Sequence, residues 1–161
     1  MLILNCGGTF NKRYNKISGK LEVPYDNLAL EKILESASCK YSLSGVVYKD
    51  SLDIDSQDRK IIANIIMEST EKNFILVHGT DTMDQTAEFL NEVFDDRIII
   101  LTGAMKPFEV ESLEATLNLG IAIGFLNGNS VNGVYITMNG LVEKFDMIKK
   151  NRDIGKFESV R

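Results

Sequence analysis

Leu2-Ile3-Leu4-Asn5-Cys6-Gly7-Gly8-Thr9 is an apolar run that stops at two glycines and a hydroxyl, and Phe74-Ile75-Leu76-Val77-His78-Gly79-Thr80-Asp81 repeats the plan further along. Runs of Ile, Leu and Val without polar alternation suit strands covered on both faces, as in a parallel sheet. A hydroxyl just past the carboxyl end of such a strand lies at the edge where open α/β sheets take their ligands. The two threonines are therefore expected to face one pocket. Gly7 and Gly8 let backbone approach a ligand closely, and Gly79 frees the turn before Thr80 and Asp81. The plain alternative is that Thr9 and Thr80 cap helices or bond within their own loops.

Working outward, the same kind of run recurs at residues 45–48, 98–101 and 134–138. Between the runs lie segments with helical spacing. Leu28, Leu30, Ile33 and Leu34 make one stripe, opened by Asp26-Asn27; Ile61, Ile62, Ile65, Ile66 and Met67 make a second, preceded by Asp55-Ser56. Thr86, Ala87, Leu90 and Val93 make a third, and Leu113, Ala115, Leu117, Ile121, Ala122 and Phe125 a fourth. Strand and helix alternate, which predicts a three-layer, doubly wound α/β domain with a mostly parallel sheet. Around residues 11–21 the pattern lapses into polar residues centred on Ser18-Gly19, as in an exposed loop or small hairpin placed beside Thr9 as a lid.

The 161 residues fit one domain, and a 44% hydrophobic, 25% charged composition is that of an ordinary folded protein. A net charge of -5, with Lys149-Lys150-Asn151-Arg152 the one short basic run, argues against a nucleic-acid partner and for small-molecule chemistry. The opening apolar run is too short for a signal segment or a membrane anchor. Cys6 and Cys39 are the only cysteines, and reduced thiols in a cytoplasmic protein are expected. His78 is the only histidine, so no zinc ligand set is expected, nor any other metal or cofactor.

Three stretches resemble, in order, the signatures of bacterial-type L-asparaginases: Gly7-Gly8-Thr9-Phe10, His78-Gly79-Thr80-Asp81-Thr82-Met83, and Leu101-Thr102-Gly103-Ala104-Met105-Lys106-Pro107. Residues 46–54, Val-Val-Tyr-Lys-Asp-Ser-Leu-Asp-Ile, are similar to the family's substrate-binding loop, and Tyr135-Ile136-Thr137-Met138-Asn139-Gly140 to its fifth strand. Single tripeptides are weak signals, but several motifs in register along the whole chain are specific. The resemblance implies the fold of the family's larger, N-terminal domain, and places residues 1–161 among the short, single-domain asparaginase-like proteins that lack the C-terminal domain.

The resemblance also implies roles. Thr9 matches the nucleophile that attacks a side-chain amide, forms an acyl-enzyme and releases ammonia; a threonine hydroxyl needs a base or relay to take its proton. The family's loop tyrosine corresponds to Tyr14, with Tyr25 the alternative. Thr80 matches the threonine that works with a lysine, for which Lys149 is preferred over Lys150. Asp81 matches the carboxylate that holds the substrate α-ammonium, a charge-assisted contact. Ser51, with Asp50 beside it, falls where the family binds the α-carboxylate; Ser56-Gln57-Asp58 imitates that tripeptide but reads as a helix start. Leu52 departs from the family's glutamine. Ala104 would offer its carbonyl to the amide, and His78 reads as a packed strand-end residue. The expected function is hydrolysis of L-asparagine or a related ω-amide, in a homodimer or larger assembly. An amino-acid-binding module without turnover is the alternative from another class. Nucleotide binding at Gly7-Gly8 is weaker, since neither Gly-x-Gly-x-x-Gly nor a Walker sequence follows.

Overall fold

The apolar runs form the strands they predict. In a computed structural model that describes residues 1–129 and 131–160, β1 (Leu2–Gly7) is followed by a short hairpin of β2 (Arg13–Asn15) and β3 (Lys20–Glu22), then α1 (Leu28–Ser36) and β4 (Ser42–Lys49). Next come α2 (Ser56–Glu68), β5 (Asn73–Val77), α3 (Met83–Val93), β6 (Ile98–Thr102) and α4 (Ser112–Gly128). The chain continues through β7 (Gly133–Met138), β8 (Leu141–Lys144) and a terminal hairpin of β9 (Ile148–Asn151) and β10 (Lys156–Ser159).

One sheet runs β4-β1-β5-β6-β7-β8, parallel except for β8. The register sets Leu4 beside Leu76, Ile75 beside Ile100 and Leu101 beside Ile136. Because side chains alternate across a strand, the two faces take different residues. Leu4, Cys6, Leu76, Leu101 and Ile136 pack with Ile62 and Ile66 of α2 and Ala87 and Leu90 of α3. Ile3, Ile75, Val77 and Ile100 pack with Leu30 and Ile33 of α1 and Ala115, Leu119 and Ala122 of α4. This is the three-layer arrangement expected from the sequence.

The strand order places the switch point between β1 and β5. From β1 the chain passes to β4 on one side, and it then returns to β5 on the other. The loops after β1 and β5 consequently diverge and leave a crevice at the carboxyl edge of the sheet, where ligands of such folds bind. Thr9 and Thr80 are on those two loops.

Two helices differ from the stripes read in the sequence. In α4 the buried set is Ala115, Asn118, Leu119, Ala122 and Leu126, while Leu113 and Leu117 are exposed. This helix is apolar on nearly every side, so periodicity alone could not orient it. In α2, Ile61 and Met67 are exposed and Ile62 and Ile66 buried. Its start is the Ser56-Gln57-Asp58 stretch: Asp55 accepts hydrogen bonds from the Gln57 and Asp58 amides, and the Asp58 carboxylate takes the Asp55 amide, a reciprocal cap worth about 1 kcal/mol.

Candidate active site

Glycines allow the crevice walls to touch. A Cβ on Gly8, whose φ is 74°, would lie 2.4 Å from the Gly79 Cα, so the turns leading into Thr9 and Thr80 are in backbone contact. A Cβ on Gly79 would lie 2.5 Å from the Ser51 Cβ, and one on Gly103 2.5 Å from the His78 carbonyl oxygen. The ends of β1, β5 and β6 and the turn after β4 thus converge. The Gly8 amide donates to the Lys49 carbonyl at 2.8 Å, and the Phe108 amide donates to the Phe10 carbonyl at 3.1 Å.

A buried amide network fixes the Thr9 turn from below. Asn5 is fully buried within β1; its Oδ1 accepts from the Gly7 amide at 3.0 Å and from Asn11 Nδ2 at 2.9 Å. Its Nδ2 donates to the Asp26 carbonyl at 3.1 Å and to Asn27 Oδ1 at 3.0 Å. One side chain therefore joins the Thr9 turn to the foot of the β2–β3 hairpin, and each buried polar atom finds the partner that its desolvation requires.

Neither threonine is a helix cap. The N-cap of α3 is Thr82, which makes no side-chain cap bond; its hydroxyl instead donates to the Ser51 carbonyl at 2.7 Å. Thr80 Oγ1 accepts from Lys150 Nζ at 2.8 Å. The same ammonium donates to Asp81 Oδ1 at 2.8 Å, and the Asp81 amide donates to Ser51 Oγ at 3.1 Å. Ser51, Thr80, Asp81 and Lys150 are thus one connected group beside the Gly8–Gly79 contact. Thr80, Asp81, Asp84, Lys149, Lys150 and Arg152, with Ile148 and Phe157, line a recess of about 110 Å³. A wider depression of about 700 Å³, beside the amino end of β4, lies away from both threonines.

Of the two candidate lysines, Lys150 rather than Lys149 is the one bonded to Thr80. Successive strand residues point to opposite faces, and Ile148 of β9 is buried in the core with Phe157 of β10. Lys150, two residues on, shares the inward face; Lys149 points out and is exposed, paired in register with Glu158. Arg152 is an addition that the sequence reading missed: it donates to Asp81 Oδ1 and to the Asp81 carbonyl oxygen, each at 2.9 Å. The Lys150 hydrogen bond foremost, with the Lys150 and Arg152 charges added, holds the Asp81 carboxyl below the ordinary carboxylate range.

The tyrosine lies elsewhere. Tyr14 is 58% exposed on β2, and its amide, not its hydroxyl, is held, by Glu109 Oε2 at 2.8 Å. Tyr25 is also exposed and its ring leans on Tyr48 at 5.8 Å between centroids. Among the described residues, neither hydroxyl is hydrogen-bonded to Thr9. Asp50 is ion-paired with Lys12, three residues past Thr9. Ala104 is fully buried in the turn after β6, and the Asn118 side chain holds the adjacent Gly103 carbonyl at 2.9 Å.

His78 is packed, as expected. Its ring is buried, with Nδ1 2.8 Å from the Gly79 carbonyl oxygen and Nε2 3.0 Å from Thr86 Oγ1. Arg59 Nε donates to that same hydroxyl. The donor order assigns the proton to Nδ1 and makes Nε2 the acceptor. Burial lowers the ring's pKa to about 4 from the ordinary 6.5, against the opposing Gly79 hydrogen bond. Between these values the unfolded chain binds a proton that the folded one does not, so stability falls as pH drops through 6.5 and the loss is complete below about 4. The full difference is on the order of 3 kcal/mol, about 2 of it by pH 5. Urea denaturation at pH 7 and pH 5 should show that loss, and His78→Gln should reduce it; an unchanged slope in the variant would assign the effect to other groups. Cys6 is likewise no nucleophile, since burial, with the Asp58 charge, pushes its thiol up to about 12.

The family model for the asparaginase N-terminal domain matches residues 1–159. The chain belongs to the asparaginase family. It is 28% identical over 170 residues to L-asparaginase 2 of Escherichia coli, covering 98% of this chain and 49% of that protein. It is 28% identical over 144 residues to a glutaminase-asparaginase of Acinetobacter glutaminasificans, covering 84% and 41%. The thermostable L-asparaginase from Thermococcus kodakarensis superposes with a TM-score of 0.83 at 24% identity, covering 99% of this chain and 50% of that one. At that identity the superposition shows the fold. The chain spans about half the length of the relatives it matches. No helix among the described residues is long and apolar enough to cross a membrane.

Proposed function

We propose that this asparaginase-family chain hydrolyses the side-chain amide of L-asparagine or a related ω-amide through a threonine acyl-enzyme. The observation that carries the reading is Lys150 Nζ on both Thr80 Oγ1 and Asp81 Oδ1, beside the Gly7-Gly8-Thr9 turn at the switch point. Thr9 Oγ attacks the amide carbon and its proton leaves through a relay; ammonia departs, and water then cleaves the ester to release the acid and restore Thr9. In this scheme Lys150 keeps Thr80 oriented and exchanges its proton. Ser51 donates its hydroxyl to the substrate carboxylate, Asp50 lies at that end holding the Lys12 ammonium there, Asp81 takes the α-ammonium, and the Ala104 carbonyl the amide nitrogen. Tyr14, on a hairpin able to fold over the crevice, serves as the relay hydroxyl. Two unpaired cysteines, Cys6 and Cys39, favour a reducing, cytoplasmic setting. Ammonia release measured across L-asparagine, L-glutamine and small ω-amides tests the reading; release from none of them would leave an amino-acid-binding role.

Asp81→Asn should weaken binding of ligands with an α-ammonium by roughly tenfold to a hundredfold, the cost of one charge-assisted hydrogen bond in a closed site. Ligands without that ammonium should lose little affinity. Since Asp81 also holds Lys150, turnover will fall for both kinds, so calorimetric titration is the discriminating measurement. Equal affinity losses would make Asp81 a purely structural partner of Lys150 and Arg152.

We further propose that residues 1–161 form one domain of the asparaginase N-terminal type and act as a homodimer or larger assembly. Support comes from exposed apolar side chains at the start of α4: Val110, Leu113 and Leu117 are 67%, 76% and 58% exposed, and the last two share a helix face. Light scattering at micromolar concentration should give at least a dimer; a monomer would count against it.

A further inference from the structure

The carboxylate proposed to receive the substrate ammonium is already occupied by two cations. Lys150 Nζ and Arg152 Nη1 both lie on Asp81 Oδ1, at 2.8 and 2.9 Å, and Arg152 Nη2 adds a bond to the Asp81 carbonyl oxygen at 2.9 Å. An incoming ammonium would be a third cation at this carboxylate, in a recess that Lys149 also lines and where Asp84 is the other acid among the described residues. Mutual repulsion therefore favours departure of one resident cation as the ammonium arrives. Lys150 is poorly suited to leave, since its side chain is only 13% exposed and Thr80 also holds it. Arg152 is 63% exposed and stands just past β9, in the turn that joins it to β10, so a side-chain rotation frees it.

We infer that Arg152 is a specificity-determining residue, a built-in competitor for the α-ammonium site that shifts preference toward ω-amides lacking a free α-ammonium. The inference rests on the amidohydrolase reading for its substrate, but the competition itself is a matter of binding. Displacing an exposed ion pair costs little, so the effect is one of selectivity. With Arg152 in place, an α-ammonium ligand gains Asp81 only by exchange; a dicarboxylic monoamide without the amine leaves the Asp81–Arg152 pair intact.

The test compares L-asparagine with succinamate, which differ by the α-ammonium, in wild type, Arg152→Gln and Arg152→Lys. The ratio of kcat/KM for L-asparagine over succinamate should rise roughly two- to fivefold in Arg152→Gln. It should stay near the wild-type value in Arg152→Lys, which keeps a competing charge. The rise should shrink as salt is added, because an exposed pair is screened; a merely structural clamp would change neither the ratio nor its salt dependence. An unchanged ratio in Arg152→Gln, or an equal rise in Arg152→Lys, overturns the inference. If wild type turns over neither amide, the amidohydrolase reading fails. The same ratio is then read from calorimetric binding of L-aspartate against succinate, and binding of neither ligand overturns this inference as well.

Discussion

Thr9→Ala is expected to reduce ammonia release by on the order of a thousandfold or more, the scale seen when the nucleophile of an acyl-transfer enzyme is removed. The fold should tolerate the change. Thr9 is half-buried, and the bonds that shape its turn are main-chain: the Asn11 amide to the Gly8 carbonyl and the Lys12 amide to the Thr9 carbonyl. The Asn5 network holds Gly7 and Asn11 on either side of Thr9 without using its hydroxyl. Ligand affinity should therefore survive, since Ser51 and Asp81 remain in place, and calorimetry with L-aspartate measures it separately from turnover. Thr9→Ser, which keeps a hydroxyl, should retain part of the rate. An alanine variant with most of its turnover would remove Thr9 from the nucleophile role.

The layer architecture was readable because the strands are unambiguous: runs such as Ile98-Ile99-Ile100-Leu101 have no alternation and are bounded by polar turns, which only a doubly covered sheet accommodates. The helices were legible as elements but not always as faces, because α4 carries apolar residues all round. The antiparallel β8 and the β9–β10 hairpin escaped, being short, polar and positioned by tertiary contacts such as the Phe157 amide on Asn139 Oδ1 at 2.8 Å. Local preference has little weight in four-residue strands of that kind.

For the site, motif matching brought Ser51, Thr80 and Asp81 to one place, and the geometry agrees that they are neighbours. What it could not supply was the register of a strand not recognised as one. Had Ile148 been read as a core residue, the period of two would have pointed to Lys150 rather than Lys149. Asn5 gave a signal that went unused: a polar amide inside an otherwise apolar buried strand must find partners, and here they tie the Thr9 turn to the foot of the hairpin. Arg152 gave none, since a surface arginine in a turn looks the same whether or not it reaches a carboxylate.

Lys150→Met should lower kcat/KM by about a hundredfold to ten-thousandfold, the usual contribution of a positioned proton-transfer group, while Lys149→Met changes it little. Methionine keeps the apolar stem that lies against the recess and removes the ammonium. The variant should still fold, because Arg152 remains on Asp81 and the carboxylate is not left alone. Asp81 should titrate closer to its ordinary range, since the Lys150 hydrogen bond is the foremost cause of its depression. Thr80→Val removes the other end of the same contact, and if lysine and threonine act as one unit the double variant will be scarcely slower than either single one. Full additivity would mean that the 2.8 Å bond between them is incidental to the chemistry. Loss of rate in Lys149→Met but not in Lys150→Met would return the role to the outward lysine and contradict the strand register that orients β9.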